Sequence, residues 1–234
     1  MAPDLWLRLL SQHPLIAVIR VTDRALGERM AHVAAAAGIR FIEITWNSAE
    51  AANSIEALRH ELSHCMVGTG TILNTAMLHE AIAVGSQFIF SPHVNGDLIR
   101  AAVKHEVPII PGALTPTEMV TAWQAGAYSV KVFPVTAVGG SQYIRSLQGP
   151  LGHIPLIPTG GITVHSAKEC LDAGAIAVGI SSHLFPKSLI DAGKWDTITH
   201  RAATLVAELT DGDRSELRQD VLTDTEVDRQ HLSV

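Results

Sequence analysis

Two charged residues stand where the chain should be dry. Lys131 lies in "AYSVKVFP" (127–134), where Val130, Val132 and Phe133 read as a buried strand that Pro134 ends. Glu43 lies in the similarly apolar "GIRFIEIT". Taking an ammonium or a carboxylate out of water is costly, so such residues are seldom buried without a partner or a task. Burial also lowers the pKa of a lysine, and a neutral amine attacks a carbonyl to form a Schiff base. A carboxylate within reach would move protons for that chemistry. The competing reading is a buried ion pair with no catalytic role.

A second cluster has the chemistry of an anion site. In "PTGGIT" (158–163), Gly160 and Gly161 let a ligand approach the backbone closely, and free N–H groups at a helix start favour an anion. Ser181 and Ser182, one strand further on, add hydroxyl and amide donors. Thr159, beside the glycines, is a candidate substrate contact. "HELSH" (60–64) formally matches a zinc-protease pattern, but that pattern needs one helix through both histidines, and here the second abuts the strand-like "CMVGTG". It reads as a solvated helix end, with no metal expected. The chain has no Walker A loop, no G-x-S-x-G elbow and no complete G-x-G-x-x-G, so no cofactor is expected.

The elements that must position these residues recur. A small-residue helix end, a glycine and an apolar strand appear as "AAAAGIRFIEIT", "AIAVGSQFIFSP", "AWQAGAYSVKVFP" and "CLDAGAIAVGIS", with Gly38, Gly85, Gly126 and Gly174 as left-handed helix caps. Between them lie "LIAVIR", "HCMVGTG", "VPIIPG" and "IPLIPTG". Interleaved, these make eight strands alternating with amphipathic segments such as "SAEAANSIEALRHEL", which predicts a single-domain α/β fold, the closed (β/α)8 TIM barrel. In "AIAVGIS" the large Ile176, Val178 and Ile180 should face the helices and Ala175, Ala177, Gly179 and Ser181 the interior. Counting five residues from each repeat glycine places Glu43, Phe90, Lys131 and Gly179 in one internal layer, because alternate strands of such a barrel share layers. The polar strand ends "GTGT", "SPH", "PTGG" and "SS" mark the end where active sites of this fold lie.

Composition narrows the classes. The chain of 234 residues is 47% apolar and 17% charged, as expected of a well-buried enzyme-sized domain. A formal net charge of −6 without a basic run argues against nucleic acid. No leader-like or membrane-spanning run is read, and the widely separated Cys65 and Cys170 suit reduced thiols, so a cytoplasmic location is expected. The expected division is an N-terminal helix over 1–14, the barrel over 15–208 and an acidic, flexible tail over 209–234.

From about Pro14 to about residue 205, "LIAVIR", "GIRFIEIT", "VGTGTILN", "FIFSPHVN", "PIIPGALTPTE", "SVKVFP" and "PTGGIT" together resemble the class I 2-keto-3-deoxy-6-phosphogluconate aldolases, also called 4-hydroxy-2-oxoglutarate aldolases. The resemblance implies a homotrimer, Lys131 as the Schiff-base lysine and Glu43 as the general acid/base. It also implies Thr71 and Arg20 as holders of the substrate carboxylate, and Gly160, Gly161 and Ser182 as the phosphate site. Phe90 and Pro92 would form the apolar wall. Asn47 departs from gluconate-type members, which can carry arginine there, and is similar to the 6-phosphogalactonate aldolases. The implied reaction is cleavage of 2-dehydro-3-deoxy-6-phosphogluconate to pyruvate and glyceraldehyde 3-phosphate, of Entner-Doudoroff type. The alternatives are the galactonate or hydroxy-oxoglutarate substrate with the same mechanism, or a phosphate-binding barrel isomerase or epimerase that forms no imine.

Overall fold

In the computed structural model, residues 1–210 are described. The acidic segment from 211 onward lies outside them. The first helix, α1 (Pro3–Gln12), precedes the barrel. The strands are β1 (Leu15–Ile19), β2 (Phe41–Thr45), β3 (Met66–Gly70), β4 (Ile89–Phe90), β5 (Ile109–Ile110), β6 (Gly112–Ala113), β7 (Val130–Val132), β8 (Leu156–Pro158) and β9 (Val178–Ile180). β5 and β6 are two halves of the fifth stave, parted at Pro111, whose missing N–H cannot join a ladder. The eight staves are therefore the eight strand-like runs of the sequence.

All pairings are parallel, in the order β5-β4-β3-β2-β1-β9 and β6-β7-β8, and a Thr159–Gly179 bridge joins β8 to β9. Together with the continuity through Pro111, this closes the sheet into the expected barrel. Helices α2 (Arg24–Ala36), α3 (Ala51–Glu61), α4 (Thr75–Ala83), α5 (Gly96–Lys104), α6 (Pro116–Gln124), α7 (Ser141–Leu151) and α8 (Val164–Asp172) link the staves. A short α9 (Lys187–Asp191) and a long α10 (Trp195–Thr210) complete the outer ring. Among the described residues no helix is long and apolar enough to cross a membrane.

The repeat glycines do what their positions require. Gly38, Gly85, Gly126 and Gly174 have φ of 96°, 85°, 98° and 103°, in the left-handed region that ends a helix and turns the chain into the next strand.

Two apolar layers follow from strand alternation. Outward residues such as Ala17, Ile42, Val67, Val130, Val132, Val178 and Ile180 pack under the helices. Inward residues Ile16, Val18, Phe41, Phe88, Phe90, Ile110 and Ile157 fill the barrel. The lower mouth is plugged by α1, whose Trp6, Leu7 and Leu10 join that inner cluster, with Trp6 Nε1 donating to Ser129 Oγ at 3.2 Å.

Two expectations change, for Ile176 and for the end of the last helix. Ile176 packs against the inner cluster rather than under the helices, because residues 175–177 precede β9 and lack its strict alternation. The last helix continues to Thr210, past the expected start of the tail at 209. α3 ends at Glu61, so His60 and His64 share no helical face; among the described residues no group of three or more His, Cys, Asp or Glu could hold a metal.

Candidate active site

Lys131 is the middle residue of β7, held in register by its N–H bond to the Pro111 carbonyl at 2.9 Å. Because its neighbours Val130 and Val132 face the helices, its side chain must face the interior. Glu43 faces inward from the middle of β2, opposite Val18 on β1 and Gly68 on β3. Both are almost completely buried, at 7% and 1% exposure. They line one cavity of about 200 Å³, whose other walls include Val18, Arg20, Phe133, Thr159, Gly160, Gly161, Gly179, Ser181 and Ser182. Phe90, the remaining member of the expected layer, brings its ring centroid to 5.7 Å from Lys131 Nζ, and Phe133 lies closer at 4.5 Å.

Two glycines make room for this layer. A Cβ on Gly70 would stand 1.7 Å from Glu43 Oε1, so only glycine at the end of β3 leaves the carboxylate its place. A Cβ on Gly179 would meet Thr159 Oγ1 at 2.8 Å, so the space at Gly179 is given to the Thr159 hydroxyl.

The electrostatics follow from burial. Desolvation pushes the Lys131 ammonium below its ordinary pKa, against the attraction of Glu43 and with the repulsion of Arg20. Desolvation pushes Glu43 up, partly offset by the cationic forms of Lys131 and Arg20. The aromatic faces beside Nζ offer the ammonium only weak compensation. An amine held towards neutrality beside a carboxyl held towards protonation is a nucleophile next to a proton shuttle, and divergent environments of this kind mark acid–base pairs.

At the rim, the Arg20 guanidinium donates to Thr71 Oγ1 at 3.3 Å, which brings together the end of β1 and the residue after β3. Thr71 has φ of 64°, an unusual conformation for a β-branched residue and one typical of functional loops. Asn47 does not line the central cavity. It lies with Arg20, Ser181 and Ser182 on an adjoining outer cavity of about 570 Å³. Pro92 is absent from both walls; its backbone abuts Gly112, where a Cβ would come within 2.5 Å of it.

At the other rim, Gly160 and Gly161 both have positive φ, 89° and 80°. Thr136 Oγ1 donates to the Gly160 carbonyl at 3.1 Å. Peptide planarity then turns the Gly161 N–H the opposite way. At the start of α8, Thr163 and Ser166 form a capping box in which each side chain accepts the other residue's amide, at 3.0 and 2.9 Å. The glycine loop and the serines bring further donors for an anion to the cavity wall.

Gly70, Thr136, Ile162 and His183 were not singled out in the sequence. The small-residue run "GTGT" was the available signal for Gly70, whereas His183 was one of 12 histidines with no distinguishing spacing.

Known proteins resemble this chain in sequence and in fold. A 2-dehydro-3-deoxy-phosphogluconate aldolase from Dickeya dadantii (strain 3937) is 32% identical over 203 residues, spanning 87% of this chain and 95% of the relative. A 2-dehydro-3-deoxy-6-phosphogalactonate aldolase from Escherichia coli (strain K12) is 35% identical over 177 residues, 74% of this chain and 84% of the relative. Among solved structures, the KDPG aldolase from Legionella pneumophila, with pyruvate captured as a covalent carbinolamine intermediate, superposes with a TM-score of 0.79. It shares 27% identity and covers 88% of this chain and 98% of its own. The family described as KDPG and KHG aldolase matches residues 8–201, and the chain belongs to that family of carbon–carbon lyases.

Proposed function

We propose that the protein cleaves 2-dehydro-3-deoxy-6-phosphogluconate to pyruvate and glyceraldehyde 3-phosphate through a Schiff base on Lys131. The observation that carries this reading is a buried lysine and a buried carboxyl lining one cavity at the C-terminal ends of the strands.

The lone pair of neutral Lys131 attacks the C2 ketone, the carbonyl oxygen takes one proton from the amine and a second from the Glu43 carboxyl, and loss of water leaves an iminium and a Glu43 carboxylate. Glu43, directly or through a water, accepts the C4 hydroxyl proton. The C3–C4 bonding pair flows into the iminium, which releases glyceraldehyde 3-phosphate and leaves an enamine. Glu43 returns the proton to C3, and water hydrolyses the pyruvate imine to free Lys131. Arg20 and Thr71 hold the carboxylate, Thr159 and Phe90 shape the wall, and Gly160, Gly161, Ser181 and Ser182 take the phosphate. Every step uses these side chains and water alone.

A second reading keeps the mechanism and changes the C4 configuration accepted. The galactonate relative and Asn47 on the outer cavity favour it. The proposal extends to a cytoplasmic homotrimer: the family resemblance supports the trimer, and the two buried free thiols suit a reducing compartment. Sedimentation equilibrium yielding a monomer mass would remove the trimer.

Borohydride reduction with pyruvate, followed by peptide mapping, tests the chemistry. An adduct on Lys131 is expected, and a protein that releases pyruvate without one would overturn the Schiff-base reading. Relative kcat/KM on the gluconate, galactonate and 4-hydroxy-2-oxoglutarate substrates decides between the substrate readings.

A further inference from the structure

The anion end of the cavity is built from backbone amides and hydroxyls, none of which carries charge. A phosphate brought into a partly dry cavity is held best by charge-assisted or strongly directed donors. Among the described residues, three that line the cavity can carry positive charge: Arg20, Lys131 and His183. Lys131 is committed to the carbonyl and is held towards neutrality by burial. The Arg20 guanidinium is already engaged, donating to Thr71 Oγ1 at 3.3 Å. The nearby Lys187 faces the outer cavity and is bound to both Asp191 oxygens, at 2.8 and 2.7 Å.

His183 remains. It follows Ser181 and Ser182 directly after β9, in a turn closed where the Ser181 carbonyl accepts the amides of Leu184 and Phe185, at 2.9 and 3.2 Å. Those bonds anchor the buried Leu184 and Phe185 beneath and leave Ser182 and His183 as the exposed tip. The tip lines the same cavity as Gly160 and Gly161. An imidazole carries an N–H donor in its neutral form and two when protonated, so in either state it can complete a ring of donors.

Resting on the aldolase reading above, we infer that His183 is a phosphate-binding residue of this enzyme, which contributes an N–H donor opposite the Gly160–Gly161 loop and sets the preference for phosphorylated substrates. It touches the distal phosphate and takes no part in the bond-breaking steps at C2 to C4. Loss of one donor to a charged group corresponds to about a ten-fold loss of affinity.

The test uses the full chain and His183→Ala, His183→Gln and wild type. For His183→Ala, KM for 2-dehydro-3-deoxy-6-phosphogluconate should rise about ten-fold with kcat within about two-fold, and competitive inhibition by inorganic phosphate should weaken by a similar factor. Borohydride trapping of pyruvate, which has no phosphate, should proceed as in wild type. His183→Gln, which keeps an N–H donor, should recover most of the lost affinity. An unchanged KM and phosphate inhibition in His183→Ala would overturn the assignment. So would an equal loss in pyruvate trapping, which would mean that the turn only supports the cavity. A wild-type protein that forms no pyruvate adduct would instead sink the aldolase reading itself.

Discussion

Gly70→Ala isolates the position of the Glu43 carboxyl from its identity. Gly70 does not have the left-handed φ that would itself forbid alanine, so the backbone accepts the change. The added Cβ would stand 1.7 Å from Glu43 Oε1, 2.5 Å from Cδ and 3.2 Å from Cγ. Since real Cβ contacts do not fall below 3.0 Å, the carboxyl must retreat by more than 1 Å. The clash is with the free end of a side chain rather than with backbone, so the stability cost sits at the low end of overpacking, about 1 kcal/mol. The lower entropy of the unfolded alanine chain offsets part of it.

Catalysis should suffer much more. A displacement of this size at a proton-transfer group costs about 100-fold, or about 2.7 kcal/mol of transition-state stabilisation. The assay is steady-state pyruvate release by Gly70→Ala, Glu43→Gln and the double variant, with chemical denaturation of each. Gly70→Ala should lose about 100-fold in kcat/KM, and the double variant should be no slower than Glu43→Gln alone, because both changes disable one group. A Gly70→Ala enzyme within about three-fold of wild type would refute the argument that Glu43 must occupy this place. Losses that multiply in the double variant would show that the alanine acts through something other than Glu43.

Lys131→Met should abolish turnover and the borohydride adduct while raising stability by about 1 kcal/mol near neutral pH, or about 3 °C in Tm. Because burial lowers the folded-state pKa of Lys131, the unfolded chain binds more protons between that value and the ordinary value near 10.4. The wild-type penalty is therefore largest at lower pH, and thermal melts should show the Tm gap closing as pH rises towards about 10. A gap that widens with rising pH would contradict the sign. Gly161→Ala combines a φ of 80° with a Cβ 2.5 Å from Thr136 Oγ1, and should raise KM for phosphorylated substrate while pyruvate trapping persists. Equal damage to both would place the glycine outside the phosphate site. Trp6→Ala removes a fully buried ring from the barrel plug and should cost about 3–5 kcal/mol in urea denaturation. At temperatures where the variant is folded, its KM should match wild type.

The sequence by itself determined the periodic part of the molecule. Glycine after each helix, strands at regular intervals and alternation within "VKV" and "IEI" are local signals with local causes: left-handed caps and a two-residue side-chain period. Closure of the barrel turned those signals into one shared layer, so the convergence of Lys131 and Glu43 could be counted along the chain before any distance was known. What followed no period was decided only by the tertiary structure. The clearance that Gly70 gives to Glu43, the Arg20–Thr71 bond between separate strand ends, and the removal of Asn47 to an outer cavity all depend on neighbours distant in sequence. Ile176 shows the same limit on a smaller scale, because alternation constrains a side chain only where the strand ladder holds it. His183 belongs to this second class too: among 12 histidines, only the fold of the turn after β9 brings this one to the cavity that holds Lys131.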